Sequence, residues 1–344
     1  MPAGIFEGCV PTTGSLETFS VKSNEWVAFN FVGANNFVLA SVSIDEHDMW
    51  VYAVDGEYIN PQKVQAFTLN NGDRVSVMVK PTVAGAFKIR VHGATPPQMI
   101  TGHAILSVDG VRPRDNNSLS ARIPNLDSTS YLTLAGGPID SSVKFLDFWA
   151  ATQFNVDGIP ATADDFFLFN MRAESSWEWA LNETLFDPHS IDTAVYPALF
   201  KPDPNEPNED NDVVMTTTNN TWVDLVFVAA QAPMPPHPIH KHGNKMYWIG
   251  SGAGAFTWNS VNEAIAARPE LFNLVNPPKL DAVMTPPAET GLAWAAVRYH
   301  VTDPGAWAIH CHIHNHVEGG MLALIQDGIE HWPTIPQEYW DALW

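Results

Sequence analysis

Two short stretches of this chain hold most of its metal-binding chemistry: "HPIHKHGNK", with His237, His240 and His242, and "HCHIHNH", with His310, Cys311, His312, His314 and His316. Of the thirteen histidines only His47, His92, His103 and His189 lie before residue 236; these four follow no ligand spacing and read as ordinary residues, and His300 and His331 as structural or exposed ones. Two separated clusters, each built on His-x-His, point to a metal site rather than to chance enrichment. On a β-strand, side chains two apart share a face and neighbours oppose one another. His310 and His312 then look one way and Cys311 the other, while His240 and His242 share a face, so two pairs of imidazoles can converge on one metal cluster. Cys311 must serve a different metal behind the strand. A soft thiolate with two imidazoles and a weak axial thioether is the ligand set of a blue copper electron-transfer site, and His237, Cys311, His316 and Met321 would fill it. The strand then becomes the wire between two copper centres. A zinc hydrolase is the competing chemistry, but a cysteine flanked by two oppositely directed histidines makes a poor single tetrahedral site.

The elements that must present these residues are strands. The first hundred residues run through "EWVAFNFV", "FVLASVSI", "MWVYAV", "RVSVMVK" and "FKIRVHG", rich in β-branched and aromatic residues and separated by turn formers such as "GANN", "VDGE" and "NNGD". That spacing predicts an antiparallel sandwich or barrel. From Gly110 to Ser130 the apolar pattern lapses into Pro, Asn, Asp and Ser, which places a linker at 116–130 between a domain over 1–115 and another over 131–344. Strands resume with "YLTLAGG", "VKFLDFWA", "WVDLVFVA", "KMYWIG" and "LAWAAVRYHV". The clearest helix is "SVNEAIAARPELF", capped by Ser260 and broken at Pro269. The acidic, proline-rich segment Lys201 to Asp212 reads as a solvated loop. The fold class is therefore all-β, in two domains.

Composition narrows the partners. At 344 residues the chain is long enough for two cores, and its net charge of −21 repels phosphate backbones and anionic membranes, so no nucleic acid or membrane partner is expected. No apolar run has the length of a spanning helix, and "MPAGIFEGCV" lacks the basic start and apolar centre of a signal peptide. If Cys311 binds metal, Cys9 has no partner for a disulfide within the chain. Asn-x-Ser/Thr triplets at Asn116, Asn182 and Asn219 leave the compartment open.

"HPIHKHG" and "HCHIHNHVEGGM", the latter led in by "DPGAWAIHCH", resemble the third and fourth copper-binding motifs of multicopper oxidases, above all fungal laccases and ascorbate oxidase-like enzymes. The resemblance is strong from Trp222 onward. It is weaker in the first half, where "FVLASVSIDEHDMWVYAVDG" and "LNNGDRVSVMVKPTVAGAFKIRV" are similar to the family's second cupredoxin domain. It implies two cupredoxin-like Greek-key β-sandwiches, the second and third of three, with no copper ligands in the first of the pair. Carried over by position, His237, Cys311 and His316 match type 1 copper ligands with Met321 in the axial place, His240 matches a type 2 ligand, and His242, His310 and His312 match type 3 ligands. Such enzymes take single electrons from a reductant and pass four to dioxygen, making water; His316 would be the ligand nearest the donor.

The family's trinuclear cluster needs eight histidines, half of them from two His-x-His motifs in a first domain, and no His-x-His occurs here before Pro236. The expectation is a C-terminal subunit of a split laccase-like oxidase, completed by a partner chain that carries those motifs and acting on a phenolic or similar small-molecule reductant with O2. The alternative is a non-catalytic or electron-transfer subunit that keeps only the type 1 copper; retention of His240, His242, His310 and His312 argues against it. His314 stands where many relatives have a carboxylate that helps deliver protons, a task open to imidazole; it also reads as a surface residue. Met321, where high-potential laccases carry Leu or Phe, predicts a low-potential type 1 site. Trp307 is expected to pack under the site, and Ser251 to Phe256 to border the pocket near His316. Family members are usually secreted or vesicular.

Overall fold

Alternation of small apolar and polar side chains becomes strands wherever one face can be buried. In Arg74–Val79 the three valines point inward while Arg74, Ser76 and Met78 stay half-exposed, the pattern of a sheet covered on one side. A computed structural model of the chain describes residues 16–36, 39–93, 100–111, 128–155, 158–182, 185–187 and 213–342. Within them the first part contains nine strands: β1 (Thr18–Val21), β2 (Val27–Val32), β3 (Ala40–Ile44), β4 (Met49–Val54), β5 (Glu57–Val64), β6 (Ala66–Leu69), β7 (Arg74–Val79), β8 (Gly85–Gly93) and β9 (Thr101–Val108). They form two facing sheets, ordered β1-β9-β8-β3-β6 and β2-β7-β4-β5.

The second part continues with β10 (Asp165–Ala173), β11 (Trp179–Ala180), β12 (Val213–Thr216), β13 (Trp222–Ala229), β14 (Pro238–Lys241), β15 (Met246–Ala253), β16 (Lys279–Leu280), β17 (Ala282–Met284), β18 (Ala293–His300), β19 (Gly305–Cys311) and β20 (Leu322–Asp327). One sheet is ordered β11-β10-β13-β18-β15-β16 and the other β12-β20-β19-β14-β17. The all-β expectation holds. β13 and β18 are buried along nearly their whole length because both faces are covered. Val223, Leu225 and Phe227 enter the main core, while Val226, Val228, Trp294 and Ala296 pack in a second cluster with Phe256 and the helix Val261–Ala267. That helix starts where the sequence places it: the Ser260 hydroxyl accepts from the Glu263 N–H, and the chain passes at Pro269 into a short 3-10 turn.

Two sequence readings require correction. "YLTLAGG" and "VKFLDFWA" do not form ladder strands; residues in this stretch make isolated bridges instead, Leu132 to Pro138 and Phe145 to Ala66. The glutamines of β5 and its neighbour take the backbone groups a ladder would use: Gln65 accepts from the Lys144 N–H at 2.8 Å, and Gln62 donates to the Asp147 carbonyl at 2.9 Å. Residues 144–153 therefore lie along the first sandwich although their sequence follows the expected linker. Most of that linker, Cys9, Asn116, His189 and the acidic segment fall outside the described residues.

The two sandwiches meet through charged groups. Arg74 pairs with Asp281, the Asp55 carboxylate accepts from the Asp281 N–H at 2.9 Å, and the Lys245 ammonium donates to the Asp55 carbonyl at 2.6 Å and to Glu57 at 2.9 Å. Inside the second sandwich Arg298 and Asp224, directly opposed on β18 and β13, make a buried two-pronged pair at 2.7 and 2.8 Å, with a third bond from Arg298 to the Pro160 carbonyl. Replacing Arg298 by Met should cost about 3–5 kcal/mol, because Asp224 is left buried without its counter-charge. Denaturant unfolding measures this; a loss within about 1 kcal/mol would match a solvated pair instead.

Candidate metal centre

β14 and β19 are antiparallel neighbours in the register Ile239↔Cys311, His240↔His310 and Lys241↔Ile309. Directly opposed residues share a face, so this register sorts the donors into two sets. Ile239 and Cys311 point into the sandwich core, and His240 and His310 emerge on the other face. The structure thus places Cys311 on the side opposite its neighbouring imidazoles.

On the core side, His237, Cys311 and His316 form one group, all buried. The Cys311 Sγ lies 3.7 Å from His237 Nδ1 and 3.7 Å from His316 Nδ1, and the two nitrogens are 3.1 Å apart. A point in the plane of these three atoms lies about 2.0 Å from each, which is a metal–imidazole bond length and slightly short for a metal–thiolate bond. The residues present therefore fit a single ion of the soft-thiolate, two-imidazole kind. Met321 is fully buried in the same hydrophobic core as Cys311, and its backbone is laced to two of the three: Cys311 N–H donates to its carbonyl at 3.1 Å, and its own N–H donates to the His316 carbonyl at 2.9 Å. Burial pushes the Cys311 thiol up to about 12, so without a cation beside it the sulfur keeps its proton, and metal uptake must release that proton. Burial also holds His316 down to about 4 and His237 well below its ordinary value, the latter helped by His316. Both rings are therefore neutral and ready to ligate near pH 7. Thr285 fixes His237 from both sides: its hydroxyl accepts from the His237 N–H at 2.8 Å, and its own N–H donates to the His237 carbonyl at 2.9 Å.

On the opposite face, donor atoms of His240, His310 and His312 all lie within 4.8 Å of one another, and His242 joins them with its Nε2 at 3.1 Å from that of His310. Three of the four rings donate Nδ1–H to a backbone carbonyl: His240 to Asp281 at 2.7 Å, His310 to Cys311 at 2.9 Å and His312 to Asn71 at 2.6 Å. Such a bond fixes the tautomer and leaves Nε2 as the ligating lone pair. Burial, with His240 and His310 close by, holds His312 down to about 4.

The first sandwich contributes no imidazole to either group, yet its β6–β7 turn holds His312. Asn71 accepts through its carbonyl from the ring and donates through its side chain to the His312 carbonyl at 3.0 Å. Gly72, at φ +80°, lies so close that a Cβ there would overlap the imidazole.

Two family models, both described as multicopper oxidase, match residues 3–110 and 171–330. The chain belongs to the multicopper oxidase family. It is similar to the proteins named laccase ustL of Ustilaginoidea virens (38% identical, covering 98% of this chain and 53% of the relative) and laccase abr2 of Aspergillus fumigatus (36%, 97% and 56%). The crystal structure of a laccase from Botrytis aclada shares the fold, with a TM-score of 0.70 at 18% identity over 96% of this chain and 56% of that one. The chain spans about half the length of the curated relatives it matches.

Within this multicopper oxidase chain the structure brings together His237, Cys311 and His316 in one group, with Met321 joined to it through its backbone, and His240, His242, His310 and His312 in the other. His314 joins neither. It opens the helix His314–Glu318, is exposed, and lies 3.7 Å from the Glu318 carboxylate. Trp307 half-covers the Gly243 turn and donates its indole N–H to the Asp303 carbonyl at 2.7 Å. Phe256 is committed to Trp258 and Trp294 in the second cluster rather than to His316. The ring that covers His316 is Trp179, stacked on it at 4.3 Å between centroids and edge-on to His237. Trp179 carries no signal in the sequence, since a lone tryptophan in a short strand reads as core.

Gly72→Ala should destabilise the fold by about 2 kcal/mol, from left-handed strain and displacement of the His312 ring. Urea unfolding with copper uptake checks it, and an equally stable variant with unchanged uptake would detach the turn from the site. For pH, His316 titrates near 4 when folded and near 6.5 when unfolded, so the unfolded state binds the extra proton between those values and metal-free stability falls on acidification through that window. Asp73, pushed up to about 7 by burial and by Asp55, acts in the opposite sense. Comparing the native chain with His316→Phe at pH 7 and pH 4 isolates the histidine: the variant should lose less stability on acidification.

Proposed function

We propose that this chain supplies the type 1 copper site and half of the trinuclear copper ligands of a laccase-like multicopper oxidase. The observation that carries the reading is the opposition of two donor sets across one strand: Cys311 with His237 and His316 behind it, and four imidazoles in front. His240 would serve as the type 2 ligand, and His242, His310 and His312 as type 3 ligands. Copper held in the two sets would supply one-electron transfer from a reductant and four-electron reduction of dioxygen to water. Four imidazoles are half of the family's set, so a first cupredoxin domain with two His-x-His motifs, supplied from outside these residues, would complete the oxidase.

Each residue has a physical task in this reading. Cys311 shares peptide bonds with His310 and His312, which gives an uninterrupted covalent path between the two groups. His316, stacked under Trp179 and still slightly exposed, presents an aromatic surface to a reductant, which favours a planar phenolic donor. Met321 in the axial place favours a low potential and easily oxidised phenols. His314, solvent-facing beside Glu318, is positioned to exchange protons with water rather than to ligate.

Copper analysis with EPR tests the reading. The chain alone is expected to show a type 1 signal and one ordinary copper at the imidazole group without consuming oxygen, and a four-copper set once the first domain is added; oxygen consumption by the chain alone would refute the need for that domain. Cys311→Ser should abolish the intense visible absorption of the copper thiolate, and an unchanged spectrum would remove the type 1 assignment.

A further inference from the structure

The four imidazoles of the second group are not held alike. His240, His310 and His312 each donate Nδ1–H to a carbonyl, whereas among the described residues His242 has no such acceptor and is the most exposed of the four. What fixes His242 is its backbone. Its N–H donates to the Ala308 carbonyl at 2.9 Å, and its carbonyl accepts from the Asn244 N–H at 3.0 Å and from the Lys241 ammonium at 3.0 Å.

Lys241, the last residue of β14, lies between His240 and His242 in the chain and points the other way, into the sandwich, where it is wholly buried beside an equally buried Asp327. Its ammonium donates to Asp327 Oδ2 at 2.6 Å and sits 4.3 Å from the centre of the Tyr299 ring. The other carboxylate oxygen accepts from the Tyr299 and Thr217 hydroxyls, both at 2.8 Å. Asn244 closes the loop, taking the Thr302 N–H and hydroxyl on its side-chain oxygen. An ion pair buried this deeply adds little stability over apolar residues of the same volume, but it ties the carbonyl of one histidine to a rigid anchor on β20.

We propose that Lys241, clamped by Asp327, is a positioning residue that aims His242 at the ion it shares with His310. The inference rests on reading His242 as a copper ligand and adds to that reading the device that holds it. The two Nε2 atoms approach to 3.1 Å, close enough for one ion at a metal–imidazole bond length of about 2.0 Å to bind both.

The test is the double variant Lys241→Leu/Asp327→Asn in the full chain. The single lysine change would strand a buried carboxylate and unfold the protein, whereas the double change removes both charges and keeps an acceptor for Tyr299 and Thr217. Both proteins are titrated with Cu(II) alone, reading the Cys311 thiolate band for the type 1 site and the ordinary copper EPR signal for the imidazole group. The double variant should keep its thiolate band and melting temperature, bind copper at the imidazoles about 10–100-fold more weakly, and show one imidazole fewer in the nitrogen couplings. Unchanged affinity and coupling overturn the proposal, and so does simultaneous loss of both signals with the fold, which would make the pair structural only. If the unaltered chain takes no copper at the imidazoles, the copper reading of His242 itself fails and this inference falls with it.

Discussion

The period-two alternation of a strand, locked in register against its neighbour, is the constraint on which the site depends. Ile239 opposite Cys311 and His240 opposite His310 fix which atoms meet in the core and which meet outside it. A slip of one residue would send the thiol outward and an imidazole into an apolar interior, dissolving both donor sets at once. The register is held from both sides: β20 pairs along β19 from Gly305 to His310, and β14 pairs with β17. It is also held beyond the strand ends, where His312 N–H donates to the Pro238 carbonyl and Cys311 N–H to that of Met321. Ordinary sheet energetics thereby set the separation of two metal groups within covalent reach of each other.

Around that constraint the two groups are prepared by different physics. The core group relies on burial, which keeps the Cys311 thiol and both imidazoles uncharged and gathers three donor atoms onto a small circle. The outer group relies on hydrogen bonds to backbone carbonyls, which choose the tautomer ring by ring. Lone pairs of His240, His310 and His312 gathered on one face, and a His237 Nε2 buried without a partner among the described residues, make both groups costly before a cation enters. The sandwiches must supply the compensation, and the apolar runs of β13 and β18, buried on both faces, are where much of it is found.

The donors were legible in the sequence because each one is a residue type with a spacing: His-x-His and a cysteine between histidines translate directly into faces of a strand. The all-β class and the capped helix at Ser260 were legible for the same reason, since turn formers and caps act locally. What stayed hidden acts through the backbone or through space. The carbonyls of Asp281 and Asn71 that orient His240 and His312 have no side-chain signature, and Trp179 reaches His316 from a two-residue strand. "VKFLDFWA" has strand composition but loses its ladder to glutamine side chains, a tertiary override that no window of sequence contains.

The first sandwich shows why a domain without ligands still belongs to the centre. Asn71 and Gly72 form a turn shaped to the His312 ring, and Asp55 takes the N–H of Asp281, whose carbonyl receives His240. Two of the four outer imidazoles are thus oriented at, or one residue from, the seam between the sandwiches. Binding and docking are then thermodynamically linked: any ion that requires His240 and His312 in these orientations favours the docked arrangement by the same free energy with which docking favours the ion. The charged seam of Arg74, Asp281, Lys245 and Asp55, screened where it meets solvent and weak pair by pair, derives part of its hold from the metal site it helps to shape.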